Sequence, residues 1–292
     1  MFPVTYEDVV LRDRPICWWR PTVSGTWASA VGGSPGSTMA PSGSGANLPY
    51  GGPGLPGAFS NAGSSHTLGT TNSTGQGWTT GDHTLPNGPL TFEVWFWLDA
   101  APAAASNVIG RYNTLTSGAG RITYSLTIGT DLALTYRPAN SSLTYPAGTA
   151  ALGRWNHLVW LANYTHAVSG SNWNTIYLDG RLAGSQVAGS VDTSSGFKTH
   201  LGISGLARGT GTNLRSFPGF LAEPAIYQHP LTPQQIHDHY TAGLGGRRHS
   251  ARLASIMTQP AVAPSPPPPG GLTIINTPLV NRRVAVVSDR PR

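Results

Sequence analysis

A chain of 292 residues with 39% hydrophobic and 9% aromatic content can bury a substantial core, which excludes an intrinsically disordered protein. Its charge is the oddity: only 10% of residues are charged, the formal net charge is +6, and Lys198 is the single lysine, so this surface suits a protein that meets partners over much of its area. Cys17 is the one cysteine, which excludes an intrachain disulfide, and no run approaches the ~20 apolar residues of a membrane helix.

Residues 1–24 hold one plausible ordered element, YEDVVLRDRPICWWR. The opening MFPVTYEDVV lacks the basic segment and apolar run of a secretory signal, so synthesis and folding in the cytoplasm are expected. From Val23 to about Gly88 the chain is mostly Gly, Ser, Thr, Pro and Asn with sparse anchors such as Trp27, Phe59 and Trp78. That pattern predicts short strands separated by turns.

Strand signals strengthen from Leu90. LTFEVWFWL, RITYSLTI, LALTYRP, RWNHLVWLANYT and NTIYLDGRLAGSQV follow one another, and Asp179-Gly180 inside the last is the pair that a tight type I′ hairpin prefers. KTHLGISGL and GFLAEPAIYQ add two more strands. In the first of these runs Phe92, Val94, Phe96 and Leu98 share one face, while Thr91, Glu93, Trp95, Trp97 and Asp99 share the other. Two tryptophans do not belong on a wet face, so something must cover Trp95 and Trp97. Trp155 opens its own strand and is expected to be buried against an opposite sheet.

One helix stands apart. In LTPQQIHDHYTAG, Thr232 can cap, Pro233 suits the first helical position, Gln235 completes a capping box, and Gly243 is placed to end the helix. Beyond it the composition changes. Arg247, Arg248 and Arg252 form one basic group, PAVAPSPPPPGG reads as an extended polyproline-type linker, and LTIINTPLVNRRVAVVSDRPR holds two β-prone runs and a second basic group that includes Arg282 and Arg283. No aromatic interleaving accompanies these arginines, so nucleic acid is not an expected partner.

In this order the pieces resemble a known family. YEDVVLRDRPICWWRPTVSGT resembles the opening of the laminin-G-like, concanavalin A-like lectin/glucanase jelly roll, as found in bacterial surface proteins and phage virions. LPGAFS, LTFEVWFWL, RWNHLVWLANYT, IYLDGRLAGS and FPGFLAEPAIYQHPLTPQQIHDHYTAG resemble its later segments, from about Tyr6 to Gly243. The resemblance implies an all-β fold: a concanavalin A-like jelly-roll sandwich with one short C-terminal helix and an extended C-terminal arm. The domain plan is a jelly roll over 1–243, an Arg- and Pro-rich linker over 244–271 and an assembly arm over 272–292. Trp95 takes the family's tryptophan position and is expected in the core. Trp97 falls where the family usually has a polar residue. The closing strand has Glu223 followed by Pro224 where the family often has two acidic residues, which weakens any calcium role there.

Catalytic chemistry finds little support. A retaining glycosidase needs two carboxylates about 5 Å apart across the scissile bond, yet the three glutamates, Glu7, Glu93 and Glu223, are scattered. Glu93 and Asp99 lie too far apart along one strand. No Gly-x-Ser-x-Gly elbow or phosphate-cradling loop is present, and Cys17 reads as a small buried apolar residue. His237 and His239 point to different sides of their helix, so they do not share a metal. No cofactor is expected; calcium stays open without assigned ligands. For sugars, Asn172 and Trp173 in one inter-strand segment and Tyr136 and Arg137 in another are the candidate contacts, and Trp97, Arg282 and Arg283 are the candidate subunit contacts. The expectation is a non-enzymatic phage virion protein, a tail or head surface component made in the host cytoplasm and present in many copies. Its expected partners are other virion proteins and host-surface glycans. A free lectin module of a bacterial surface protein is the alternative, with a glycoside hydrolase behind it.

Overall fold

The computed structural model describes residues 4–20, 27–31, 38–42, 53–56, 65–67, 77–80, 84–86, 88–103, 105–112, 122–138, 145–165, 172–187, 198–201 and 218–245. The expectations for the linker and the arm, with Arg282 and Arg283, lie outside them. The described chain forms two antiparallel sheets and two helices, α1 (Tyr6–Arg12) and α2 (Pro233–Gly243).

One sheet contains β1 (Cys17–Trp18), β4 (Ser65–Thr67), β6 (Leu90–Leu98), β11 (Trp155–Thr165), β12 (Asn172–Leu178), β13 (Arg181–Val187) and β15 (Gly219–Tyr227). Its order is β1-β15-β6-β11-β12-β13, with β4 also paired to β15. The other contains β2 (Trp27–Ala28), β3 (Thr38–Ser42), β5 (Gly77–Thr80), β7 (Ser106–Tyr112), β8 (Ile122–Ile128), β9 (Ala133–Pro138), β10 (Tyr145–Thr149) and β14 (Lys198–Leu201), in the order β10-β9-β8-β7-β14-β5-β3-β2. The chain crosses between sheets early, where Trp19 bridges Ser29. The expected hairpin is present: Asp179 (φ 53) and Gly180 (φ 73) turn the chain from β12 into β13.

The predicted alternation in β6 is observed. Phe92, Val94, Phe96 and Leu98 point into the core between the sheets with Trp160, Leu126, Leu134 and Trp78. Phe92 stacks on Trp160 with ring centres 4.8 Å apart, and the Trp160 indole N–H donates to Asn174 Oδ1 at 3.1 Å. The opposite face of β6 is equally dry. Every residue of the strand is buried except Trp97, which is intermediate. The two helices lie over this face and close a second core from Tyr6, Val9, Val10, Trp18, Trp95, Trp155, Tyr227 and Ile236. This cover answers the question raised by Trp95, which is fully buried.

Each helix is fixed by its cap. Thr5 and Asp8 form a reciprocal capping box at α1, and Thr232 and Gln235 form the expected one at α2, with Pro233 in the first turn. Thr91 locks β6 to the approach to α2, donating to the His229 carbonyl at 2.7 Å and accepting from the Leu231 amide at 3.1 Å. Trp155 departs from expectation. It is buried, but beneath the helices rather than against the other sheet, because it pairs directly with Trp97 in the β6–β11 register. The inward tryptophan of β11 is Trp160.

Gly243 shows how tightly α2 sits. A Cβ built there meets Cζ2 of Trp95 at an impossible separation and Cη2 at 2.8 Å. Gly243→Ala must displace either the helix end or the indole, so it is expected to destabilise the domain by about 1–3 kcal/mol, the usual range for overpacking a filled core. Chemical denaturation measures this, and an unchanged midpoint would refute the contact.

A sealed carboxylate hub and the candidate functional site

The helix-covered face carries the most elaborate polar chemistry among the described residues, and its centre is Glu93 on β6. The carboxylate is fully buried and saturated with donors. Oε1 accepts from Tyr6 Oη at 2.8 Å and from His157 Nε2 at 2.8 Å; Oε2 accepts from Tyr227 Oη at 2.7 Å and from His239 Nδ1 at 2.9 Å. His239 donates from its other nitrogen, Nε2, to Asp13 Oδ2 at 2.9 Å. Asp13 in turn accepts a forked pair from Arg12, at 3.0 and 3.1 Å. Five elements or their flanks therefore meet at one acid: α1, β6, β11, β15 and α2.

Register explains the convergence. Glu93 shares the outer face with Trp95 and sits opposite Ala225 on β15, while His157 on β11 stands opposite Trp95. The His157 ring stacks on Trp95 with centres 4.4 Å apart. His239 lies on the buried side of α2 and His237 on its exposed side, so the two histidines do face apart.

Charge balance follows from the contacts. Burial alone would push the His239 imidazole down, but the Glu93 charge and the bonds to Asp13 and Glu93 outweigh it and hold the pKa at about 9. Burial alone would raise both acids; His239 and Arg12 nonetheless hold Asp13 below the usual carboxylate range, and the two histidines hold Glu93 well below it. Tyr6 and Tyr227 are driven well above the ordinary phenol value, first by burial and then by the Glu93 charge. The hub is thus an imidazolium clamped between two carboxylates.

Next to it stands a stranger glutamate. Glu223 lies in a bulge of β15, between the Ala222–Trp95 and Ala225–Glu93 pairs, with a left-handed backbone (φ 52). Its Oε2 accepts from the Trp18 indole at 2.7 Å and lies 3.4 Å from Arg20 Nε. Its Oε1 has no hydrogen-bond partner among the described residues. Burial raises its pKa to about 7 against the pull of Arg20 and Trp18. The Arg20 guanidinium lies 4.5 Å from the centre of the Trp18 ring and reaches Glu7 on α1 at 3.1 Å.

The sequence-derived candidates do not converge on this site. Tyr136 points inward from β9, in phase with Leu134, and is buried against Trp160 with ring centres 5.6 Å apart, so its ring is not offered to a ligand. Arg137 is next to it on the strand, and its side chain lies outside the described residues. Asn172 and Trp173 belong to β12 rather than to a loop, because β12 pairs with β11 from the Thr165–Asn172 pair onward; their side chains also lie outside the described residues. Trp97 is partly exposed, packs edge-on to Trp155 at 6.0 Å and donates from its indole to Asp99 at 3.1 Å. Among the described residues no group of three or more His, Cys, Asp or Glu is arranged to hold a metal ion, and no helix is long and apolar enough to cross a membrane.

Sequence reasoning missed the hub. Its one signal was Glu93 itself, an acid inside a nine-residue run that is otherwise apolar, aromatic or threonine. Such a residue is tolerated in a buried strand only with several donors waiting for it.

Two antiparallel sheets packed on an apolar core, with helices over one outer face, define a lectin-like β-sandwich. Residues 71–237 match the family model of the concanavalin A-like lectin/glucanases superfamily, and the chain belongs to that superfamily. No curated protein sequence matches the chain. Among solved structures it is similar to a Trypanosoma rangeli sialidase in complex with sialic acid, at 12% identity and TM-score 0.50, covering 77% of this chain and 32% of that one. It is also similar to the binding domain of botulinum neurotoxin DC in complex with rat synaptotagmin II, at 12% identity and TM-score 0.51, covering 79% of this chain and 52% of that one. At these identities the likeness is one of fold, and the chain spans about a third to a half of the structures it matches.

Proposed function

We propose that this chain is a non-catalytic recognition and assembly module, carried in multiple copies on the surface of a phage virion, whose sandwich contacts host-surface glycans. The observation that carries the non-catalytic part is the disposition of its glutamates. Glu93 is saturated by four donor groups, Glu223 is buried against Trp18 and Arg20, and Glu7 is engaged by Arg20. A glycosidase of the paired-carboxylate type needs an acid and a nucleophile or base facing an open cleft. These glutamates hold helices down instead.

The virion part of the reading is supported by the resemblance of the sequence segments, by the sparsely charged surface, and by the Pro-rich arm with its β-prone end. The glycan part is supported by membership of a lectin/glucanase superfamily and by the indole of Trp173 in a polar neighbourhood of the sequence. Mass spectrometry of particles purified from the source is expected to find the chain at fixed stoichiometry; its absence from particles would favour the free-lectin alternative. On a glycan array the full chain is expected to bind, and Trp173→Ala to lose roughly 1–3 kcal/mol of affinity, about 5- to 150-fold, the range for stacking on an aromatic face. Wild-type protein that binds no glycan would remove the sugar contact from the proposal.

A further inference from the structure

The bulge that holds Glu223 is built at a cost: a left-handed backbone, a side chain 1% exposed, and a carboxyl oxygen with no hydrogen-bond partner among the described residues. The groups facing it are Tyr6 and Glu7 from α1, Trp18 and Arg20 from β1 and its continuation, and Glu93 from β6, behind which stand His157, Tyr227 and His239. Among the described residues one cation, Arg20, forms an ion pair with Glu223, and it is shared with Glu7 on the helix.

We propose that residues 4–20 form a proton-controlled clasp over the helix-covered face, closed when Glu223 carries a proton and loosened when it is ionised. The argument rests on which contacts each state allows. A neutral Glu223 accepts the Trp18 indole hydrogen at one oxygen, carries its proton on the other, and leaves the Arg20 charge to Glu7, which holds α1 in place. An ionised Glu223 is a buried anion close to anionic Glu93, with one oxygen unsatisfied, and it competes with Glu7 for Arg20. Relief requires movement of the least anchored element. β15 and β6 are long and paired on both edges, whereas β1 is two residues long, held to β15 by the pairs Cys17–Ile226 and Trp18–Ala225 and by the flanking Ile16 and Trp19 amides, and α1 has seven residues. The N-terminal segment is therefore the part that yields, admitting water to Glu223 and uncovering Trp95.

The titration places the switch near neutrality. Glu223 has its folded pKa raised to about 7 from 4.5, so its contribution to the closed state is complete below about pH 4.5 and is lost as the pH rises through about 7. The hub opposes opening in this window, since His239 stays charged until about pH 9.

Hydrogen exchange on the full chain, corrected for the intrinsic pH dependence of exchange, tests the clasp. Between about pH 5 and about pH 8, the amides of Val9, Val10 and Asp13 are expected to lose about tenfold or more in protection, while those of Val94 and Val159 hold theirs. Glu223→Gln keeps the shape and the acceptor for Trp18 and is expected to abolish that loss. Equal protection of α1 at both values in the wild type, or the same loss in Glu223→Gln, overturns the proposal. Should Glu223→Gln fail to fold, Glu7→Gln decides. With Arg20 no longer shared, α1 is expected to be poorly protected already at the lower pH and to show little further change, and a wild-type profile in that variant overturns the clasp.

Discussion

Glu93→Gln is expected to cost about 3–5 kcal/mol of folding stability, the range for breaking a buried ion pair by removing one partner. The substitution is nearly isosteric, so packing around Trp95 is kept and the loss reports electrostatics. A neutral amide leaves the His239 imidazolium with Asp13 alone, and it turns two hydrogen-bond acceptors into one acceptor and one donor amid four donors: two hydroxyls and two imidazoles. The pH profile gives a second signature. The folded pKa of His239 is raised from 6.5 to about 9, so its contribution is fully present below about pH 6.5 and is lost as the pH climbs through about 9. That shift corresponds to roughly 3 kcal/mol at about 1.4 kcal/mol per unit. Wild-type melting temperature should accordingly fall between these two values, and the fall should flatten in Glu93→Gln. A variant as stable as the wild type, or one with an unaltered alkaline slope, would show that the hub is not what holds the helices.

Removal of residues 260–292 is expected to leave a folded, soluble sandwich that no longer enters particles. The described hydrogen-bonding network, both helices and both cores are built from residues between 4 and 245, so the deletion removes no residue of any of them. Residues 260–271 hold six prolines, which remove backbone donors and favour an extended chain of about 3.1 Å per residue, a reach of some 35 Å. The β-prone runs beyond suit addition to the exposed sheet edge of a neighbouring subunit, where Arg282 and Arg283 would meet carboxylates or carbonyl oxygens. Incorporation measured by quantitative mass spectrometry of particles should fall by about tenfold or more, the loss of about 1.4 kcal/mol or more of docking energy. Truncated protein that assembles at the wild-type copy number would end the arm's role and return attention to the surface around Trp97.

The sandwich was legible in the sequence because its signals are local. Alternation in LTFEVWFWL, Asp-Gly between two β-prone runs, and Thr-Pro-x-Gln ahead of an amphipathic stretch each act within ten residues or so. The segment that became α1 and β1 was recognisable as ordered but not as a helix lid, since its seven helical residues carry a mixed pattern and gain their stability from packing. The hub was legible only as one acid, Glu93, in an otherwise dry strand. It gathers residues 6, 13, 93, 157, 227 and 239, and nothing in any one neighbourhood announces the others. Tyr136 shows what strand phase decides: an aromatic beside a polar turn in the sequence lies on the inward face of β9, with its ring in the core. Trp155 misled in a related way: its strand was identified, its side of the sheet was not.

The joining of α1 to α2 through Asp13 and His239, and of Arg12 to Asp238 at 3.4 Å, has a topological meaning of its own. These helices are the first and last described elements of the chain, and they rest side by side on one face. A domain whose two ends emerge together can be spliced into a surface loop of a host protein without stretching either junction, and its old ends can be joined and new ones opened elsewhere. An insertion of that kind would put both junctions on the helix-covered face of the sandwich, on the side of the seven-stranded sheet.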